Sequence, residues 1–255
     1  MGARDLSRHG SGLAWRGRVA VVAAVAALGV LPSVADATAA RPAAALHAHH
    51  GAPPIPKWTI VAALVRAAPR YATSTSTVSH AKVAATWQGA ASVLPVLSVT
   101  STRVLVRVAQ RPNGQTAWIP IRDVRLSRSP FEIVVHLRTT HLDLFRLGHG
   151  ILSTPIGVGT SSYPTPTGNF FVAFFAASPN KGYGPFVIVT SGHSNTITNW
   201  EYSGDAMVAI HGPLGADAKI GTSGARVSHG CIRLHVAALR LLRPVPAGSP
   251  VTIVN

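Results

Sequence analysis

The sequence predicts a mainly β protein with one short helix, and three observations carry that prediction. From residue 93 onward the apolar residues fall in short runs with β-branched and aromatic content, rather than at helical spacing over long windows. The runs are separated by Gly, Pro, Asn and Thr, and the chain holds 23 Gly and 19 Pro, too many breakers for long helices. Only Val236 to Leu242, through Ala237, Leu239, Leu241 and Leu242, spaces its apolar residues as a helix does.

The amino terminus comes first. Arg4, Arg8, Arg16 and Arg18 precede an apolar run from Val19 to Leu31, followed by Pro32 and the small-residue stretch Ala35 to Ala40. This is the pattern of a secretory signal with an A-x-A cleavage site. The run is shorter than the roughly 20 residues that span a bilayer, which favours cleavage, with an uncleaved anchor as the alternative. Residues 1–40 are therefore a signal peptide or an N-terminal membrane anchor, and the remainder is exported, to the cell wall or the extracytoplasmic side of the membrane. Residues 41–57, rich in Ala, Pro and His, form a linker. His47, His49 and His50 have no cysteine or carboxylate beside them, so no metal is assigned there.

Residues 58–128 form an N-terminal region. Ile60 to Ala68 reads as a short helix followed by a Ser/Thr-rich stretch, and residues 58–90 carry no functional motif. Val93 to Val99, Arg103 to Ala109 and Ala117 to Ile121 read as strands, and Pro112, Asn113, Gly114 is a hairpin signal because Asn-Gly supplies positive φ. A small SH3-like β-domain and a hairpin extension of the following sheet both fit this pattern. Residues 129–255 form the second half. Strands are expected at Phe131–Leu137, Leu142–Leu147, Ile151–Val158, Phe170–Phe175, Phe186–Val189, Met207–His211 and Val251–Val254, making a β-sandwich or barrel with one helix against it. About 125 residues bury enough surface to fold without disulfides.

The whole chain carries a formal charge of +15, and without residues 1–40 it keeps 19 basic and 6 acidic residues, or +13. Such a surface attracts polyanions. An exported chain with no nucleic-acid motif meets anionic cell-wall polymers or a membrane surface rather than nucleic acid.

The chemistry centres on the run from Ser228 to Leu234, which holds Cys231, the chain's single cysteine, with His229 two residues before it. An unpaired thiol in an oxidising compartment is a liability unless it reacts. A buried structural thiol is the alternative. His211, at the end of the apolar run Met207–His211, is a candidate base for it. With Thr165, Pro166, Thr167, Gly168 upstream, residues 130 to 255 resemble the L,D-transpeptidase catalytic domain of the YkuD type, whose signature is a histidine followed some way on by Ser-His-Gly-Cys and often an Arg or Asn two residues later.

The resemblance implies Cys231 as nucleophile and His211 as general base. No carboxylate adjoins His211, and Asp217 reads as a solvated loop acid, so a backbone carbonyl is the expected orienting acceptor. Some relatives carry a hydroxyl residue where this chain has Gly212. The Gly230–Cys231 turn can present backbone N–H groups to an oxyanion, with Ser228 bonding within the loop. His229 either shapes that turn or helps an amine approach. Arg233 either holds a substrate carboxylate or braces the loop. Thr165 and Thr167 are expected to line the approach to the site. Tyr183, His193 and Trp200 lie in the connection from Ala176 to Asp205, long enough for a lid. By resemblance the substrates are peptidoglycan stem peptides: a tetrapeptide donor loses its terminal D-alanine to a Cys231 thioester, which an amine of a second stem resolves, and penem-type β-lactams acylate the same thiol. Neither metal nor cofactor is required. An L,D-carboxypeptidase at the same site and a noncatalytic wall-binding protein are the competing functions. A papain-like protease lacks support, because the cysteine follows the histidine and opens no helix.

Overall fold

The computed structural model describes residues 54–200, 205–222 and 224–255. The expected signal segment and His47, His49 and His50 lie outside the described residues. Among those described, no helix is long and apolar enough to cross a membrane, and no group of three or more His, Cys, Asp or Glu could hold a metal ion.

The first strand is β1 (Thr59–Leu64), where a helix was expected through Ala68. The cause is ambiguity in a continuous apolar run, which fits either period. Thr59, Ile60 and Val61 are β-branched, and β1 is sandwiched between two partner strands that supply its hydrogen bonds. Short pairs follow: β2 (Ala68–Arg70) with β3 (Ala81–Val83), and β4 (Thr86–Trp87) with β5 (Ala90–Ala91). Next come β6 (Val93–Val99), β7 (Arg103–Arg107), β8 (Thr116–Pro120) and β9 (Val124–Ser129). They join β1 in an antiparallel five-stranded sheet of order β8-β7-β6-β1-β9. The N-terminal region thus has its own sheet and is not a hairpin added to the second one. The loop between β7 and β8 spans residues 108–115, longer than a tight Asn-Gly hairpin. Gly114 takes a positive φ of 89°, while the role of Asn113 is played by its side chain.

The second sheet contains β10 (Phe131–His136), β11 (His141–Arg146), β12 (His149–Pro155), β14 (Gly168–Ala176), β15 (Val187–His193), β16 (Met207–His211), β18 (Ile232–Arg233) and β19 (Pro250–Val254). Its order is β12-β11-β10-β19-β14-β15-β16-β18, and β13 (Val158–Gly159) pairs with β17 (Arg226–Ser228) beside it. The lone helix α1 (Val236–Leu241) buries Ala238 and Leu239 against this sheet's core. Only Pro130 separates β9 from β10, so Ser129, expected to open the second half, closes the first.

β14 explains how the two sheets meet. Successive side chains on a strand face opposite sides. Phe170 and Val172 enter the core of the larger sheet, whereas Phe171 and Ala173 enter that of the N-terminal sheet with Ala62, Leu94, Val106 and Ile119.

Candidate active site

Strand register places Cys231 and His211 on the same face of neighbouring strands. β16 and β18 run parallel, with Ile210 beside Ile232 and His211 beside Arg233. Ile210 and Ile232 are both fully buried in the core. Alternation therefore puts Ala209, His211, Cys231 and Arg233 on the other face. Cys231, one residue ahead of β18, receives a backbone hydrogen bond from Ala209, and His211 lies two residues further along, an advance of about 6.6 Å. The thiol is partly buried and the imidazole is 3% exposed.

The ring of His211 is fixed on two sides. Its Nδ1 donates to the carbonyl oxygen of Gly212 at 2.8 Å, which leaves Nε2 as the acceptor, the tautomer a general base needs. A backbone carbonyl is thus the orienting partner. Asp217 instead pairs with Nδ1 of His235 at 2.8 Å, at the surface. The ring of Tyr183 lies 4.6 Å from that of His211. Gly212 permits this contact: its N–H donates to the Tyr183 carbonyl at 2.8 Å, and a Cβ there would fall 2.8–2.9 Å from backbone atoms of Tyr183 and Gly184. A hydroxyl residue after the histidine has no room in this chain.

The loop before Cys231 is held by hydroxyls. Buried Ser228 accepts the Gly230 N–H at 3.1 Å and donates to the Cys231 carbonyl at 2.6 Å. Gly230 has φ of 116°, a conformation side chains oppose. Its N–H is committed to Ser228, so the expectation that both turn amides face an oxyanion is corrected: the Cys231 N–H is the donor left in this turn. Thr165 is 4% exposed and braces the same loop, accepting from the Gly159 N–H and donating to the Gly230 carbonyl. Thr165 therefore supports the site from behind, not as part of its approach. Thr167 is exposed and does not line the cavity beside Cys231.

That cavity is lined by Cys231, Gly230, His229, Trp200, Ile197 and Asp205, among others. Exposed His229 packs between Tyr163 and Trp200, with ring separations of 4.7 and 5.4 Å. The connection from Ala176 to Asp205 is not one lid: β15 divides it, Tyr183 stands on the first part, His193 ends β15 and is buried, and Trp200 belongs to the second. The sequence carries no signal of a role at this site for Arg111, Asn113 and Asp205, which hold this second part, because 80 to 94 residues separate the partners. A second cavity, between the sheets around Trp87, Val108 and Phe171, is lined by no titratable side chain.

Electrostatically the resting pair is neutral. Burial pushes the Cys231 thiol up, against the opposing pull of the Ala209 hydrogen bond and the Arg233 charge. Burial likewise lowers His211 to about 4, with Arg233 adding to the effect and the Gly212 carbonyl opposing it. Arg233 reaches the Leu214 carbonyl at 3.4 Å, and its Nε is buried with no hydrogen-bond partner among the described residues.

Comparison with known proteins bears on this arrangement. Residues 130–253 match the L,D-transpeptidase catalytic domain, YkuD. No curated protein matches the chain. Solved structures similar to it include a mutant Enterococcus faecium L,D-transpeptidase, at 23% identity and a TM-score of 0.38, covering 49% of each chain. The catalytic domain of E. faecium L,D-transpeptidase has 25% identity and a TM-score of 0.36, covering 49% of this chain and 96% of its own. L,D-transpeptidase 3 from Mycobacterium tuberculosis has 15% identity and a TM-score of 0.39, covering 63% and 98%. The chain thus spans about half the length of the first of these, and the domain match, not the superpositions, carries the assignment. Over residues 130–253 the chain matches the model of the L,D-transpeptidase catalytic domain family, YkuD.

Proposed function

We propose that the chain is a cysteine-dependent peptidoglycan L,D-transpeptidase. The observation that carries this reading is the placement of Cys231, at a cavity and on the same strand face as a histidine whose Nδ1 is fixed and whose Nε2 is left as an acceptor, inside a domain of this family. The Cys231 Sγ attacks the carbonyl of the third residue of a tetrapeptide stem while His211 Nε2 takes the thiol proton. The Cys231 N–H donates to the oxyanion. As the C–N bond breaks, His211 returns the proton to the departing amine of D-alanine, leaving a thioester. An amine of a second stem attacks that thioester, loses its proton to His211, and the thiolate is reprotonated as the cross-link is released. Arg233 stands beside His211 in the strand register, and its planar guanidinium suits a substrate carboxylate.

The protein is exported and held at the wall or membrane surface by its excess of basic residues, whose attraction weakens as salt rises. Incubation of the purified protein with tetrapeptide-bearing fragments tests the reaction by product mass. A cross-linked dimer with loss of D-alanine is expected. A trimmed monomer alone identifies a carboxypeptidase, and no product together with no adduct on Cys231 overturns the enzymatic reading.

A further inference from the structure

The N-terminal sheet reaches into the wall of the Cys231 cavity. From the β7–β8 loop, Arg111 spans the segment that joins β15 to β16. Its Nη1 donates to the Ser194 carbonyl at 2.7 Å and its Nη2 to the Ile197 carbonyl at 2.9 Å, while Nε and Nη2 meet Asp205 Oδ1 at 2.9 and 2.8 Å. Asn113 reads the backbone of His193 from both sides, accepting its N–H at 2.9 Å and donating to its carbonyl at 2.7 Å, as a neighbouring strand would. Asn113 also donates to Asn195 Oδ1 at 3.2 Å. Asp205 Oδ2 is in turn 2.6 Å from Nδ1 of the buried His193. The segment so gripped supplies Ser194, Ile197, Trp200 and Asp205 to the cavity that holds Cys231.

We propose that Arg111 and Asn113 are positioning residues for the reaction at Cys231, through which the N-terminal β-domain sets the shape of the substrate cavity. The substrate side of this inference rests on the transpeptidase reading; the clamp itself does not. One guanidinium joins acceptors at both ends of the segment, Ser194 and Ile197 at its start and Asp205 at its close, a task its planar fork performs and an ammonium cannot. Hydrogen bonds to charged groups are also stronger than neutral ones. The clamp therefore fixes how far Trp200 stands from Cys231 and His229, and a loosened wall weakens substrate binding more than it slows the Cys-His chemistry behind it.

The test uses the full chain with Arg111→Ala, Arg111→Lys and Asn113→Ala, and Arg240→Ala on the exposed face of α1 as control. Hydrogen exchange across residues 194–200, alkylation of Cys231 by iodoacetamide, and KM and kcat on a tetrapeptide stem are measured. Removal of Arg111 is expected to speed exchange in this segment about tenfold or more, to raise alkylation several-fold and to raise KM about tenfold, with kcat falling less. Arg111→Lys recovers only part. Asn113→Ala, which removes no charge, shows the same direction and decides the matter should Arg111→Ala unfold. Exchange, alkylation and KM at wild-type values in both alanine variants overturn the proposal. If the wild type turns over no stem peptide, the transpeptidase reading fails, and exchange and alkylation still decide the clamp.

Discussion

Thr165 and Gly230, 65 residues apart, are joined by a 2.8 Å hydrogen bond from the threonine hydroxyl to the glycine carbonyl, and the same hydroxyl accepts the Gly159 N–H at 2.9 Å. One buried oxygen thus links the strand pair β13–β17 to the residue before the nucleophile. Thr165→Val keeps the shape and removes both bonds, leaving a buried N–H and a buried carbonyl without a partner. The cost should be about 1–3 kcal/mol per orphaned group. Thr165→Ser should recover most of it. Urea unfolding with iodoacetamide alkylation of Cys231 checks this, and a Val variant equal to wild type in both measurements shows that the loop does not depend on Thr165.

The shifts at Cys231 and His211 run opposite to those of a preformed thiolate–imidazolium pair. Burial raises the thiol and lowers the imidazole to about 4, so near neutral pH the resting state is thiol and neutral imidazole. Alkylation of Cys231 should therefore climb about tenfold per pH unit from pH 6 upward, with no plateau at acid pH and none at the ordinary thiol value near 8.5. A flat rate from pH 5 upward would reveal an ion pair instead. His211→Ala should slow thioester formation on a stem peptide by about 10² to 10⁴, since the base acts during attack. Cys231→Ala should abolish it with the fold intact.

The same burial makes the fold sensitive to acid. His211 is neutral in the folded protein down to about pH 4, whereas an unfolded histidine takes up a proton near pH 6.5. Between these values the unfolded chain binds more protons. Stability is therefore lost as pH falls from about 6.5, and the loss from this group is complete near 4, amounting to about 3 kcal/mol. Buried His193, also lowered by burial despite Asp205 beside it, adds in the same direction. Urea unfolding of wild type and His211→Asn at pH 7 and pH 5 checks this. The variant should lose less on acidification, and equal losses would remove His211 from the account.

Much of this site was legible because the chemistry lies in short local patterns. Met207–His211 was read with its observed ends, since a β-branched run closed by Gly212 and Pro213 marks a strand end, and Ser228 to Arg233 carries its own turn glycine. Ile60 to Ala68 reads as a helix but begins as the strand β1, because an apolar run that serves as an interior strand has no polar alternation to betray it. Thr165 was legible as a turn residue but not as a brace, because its partner Gly230 is brought near only by the pairing of β13 with β17. Arg111 and Asn113 were invisible as site residues for the same reason: their acceptors are mostly backbone carbonyls at the end of β15 and in the segment after it, which any sequence there would supply.

Phe171 tests whether the two sheets act as one body. It is 2% exposed and belongs to the N-terminal core, although its strand β14 is central in the larger sheet, where Phe170 and Val172 point the other way. Phe171→Ala should cost about 3–5 kcal/mol. The loss falls on the contact between the sheets, so the short junction at Pro130 should become open to protease before the catalytic core unfolds. Phe170→Ala, of similar cost, should instead disrupt the sheet that carries His211. Limited proteolysis with amino-terminal sequencing of the fragments, run beside Cys231 alkylation, distinguishes the two. Early cleavage near residues 129–131 in Phe171→Ala alone supports the shared strand as the joint between domains. Cleavage there at the wild-type rate in a destabilised Phe171→Ala would mean that β14 and the N-terminal sheet unfold as a single unit with the catalytic domain.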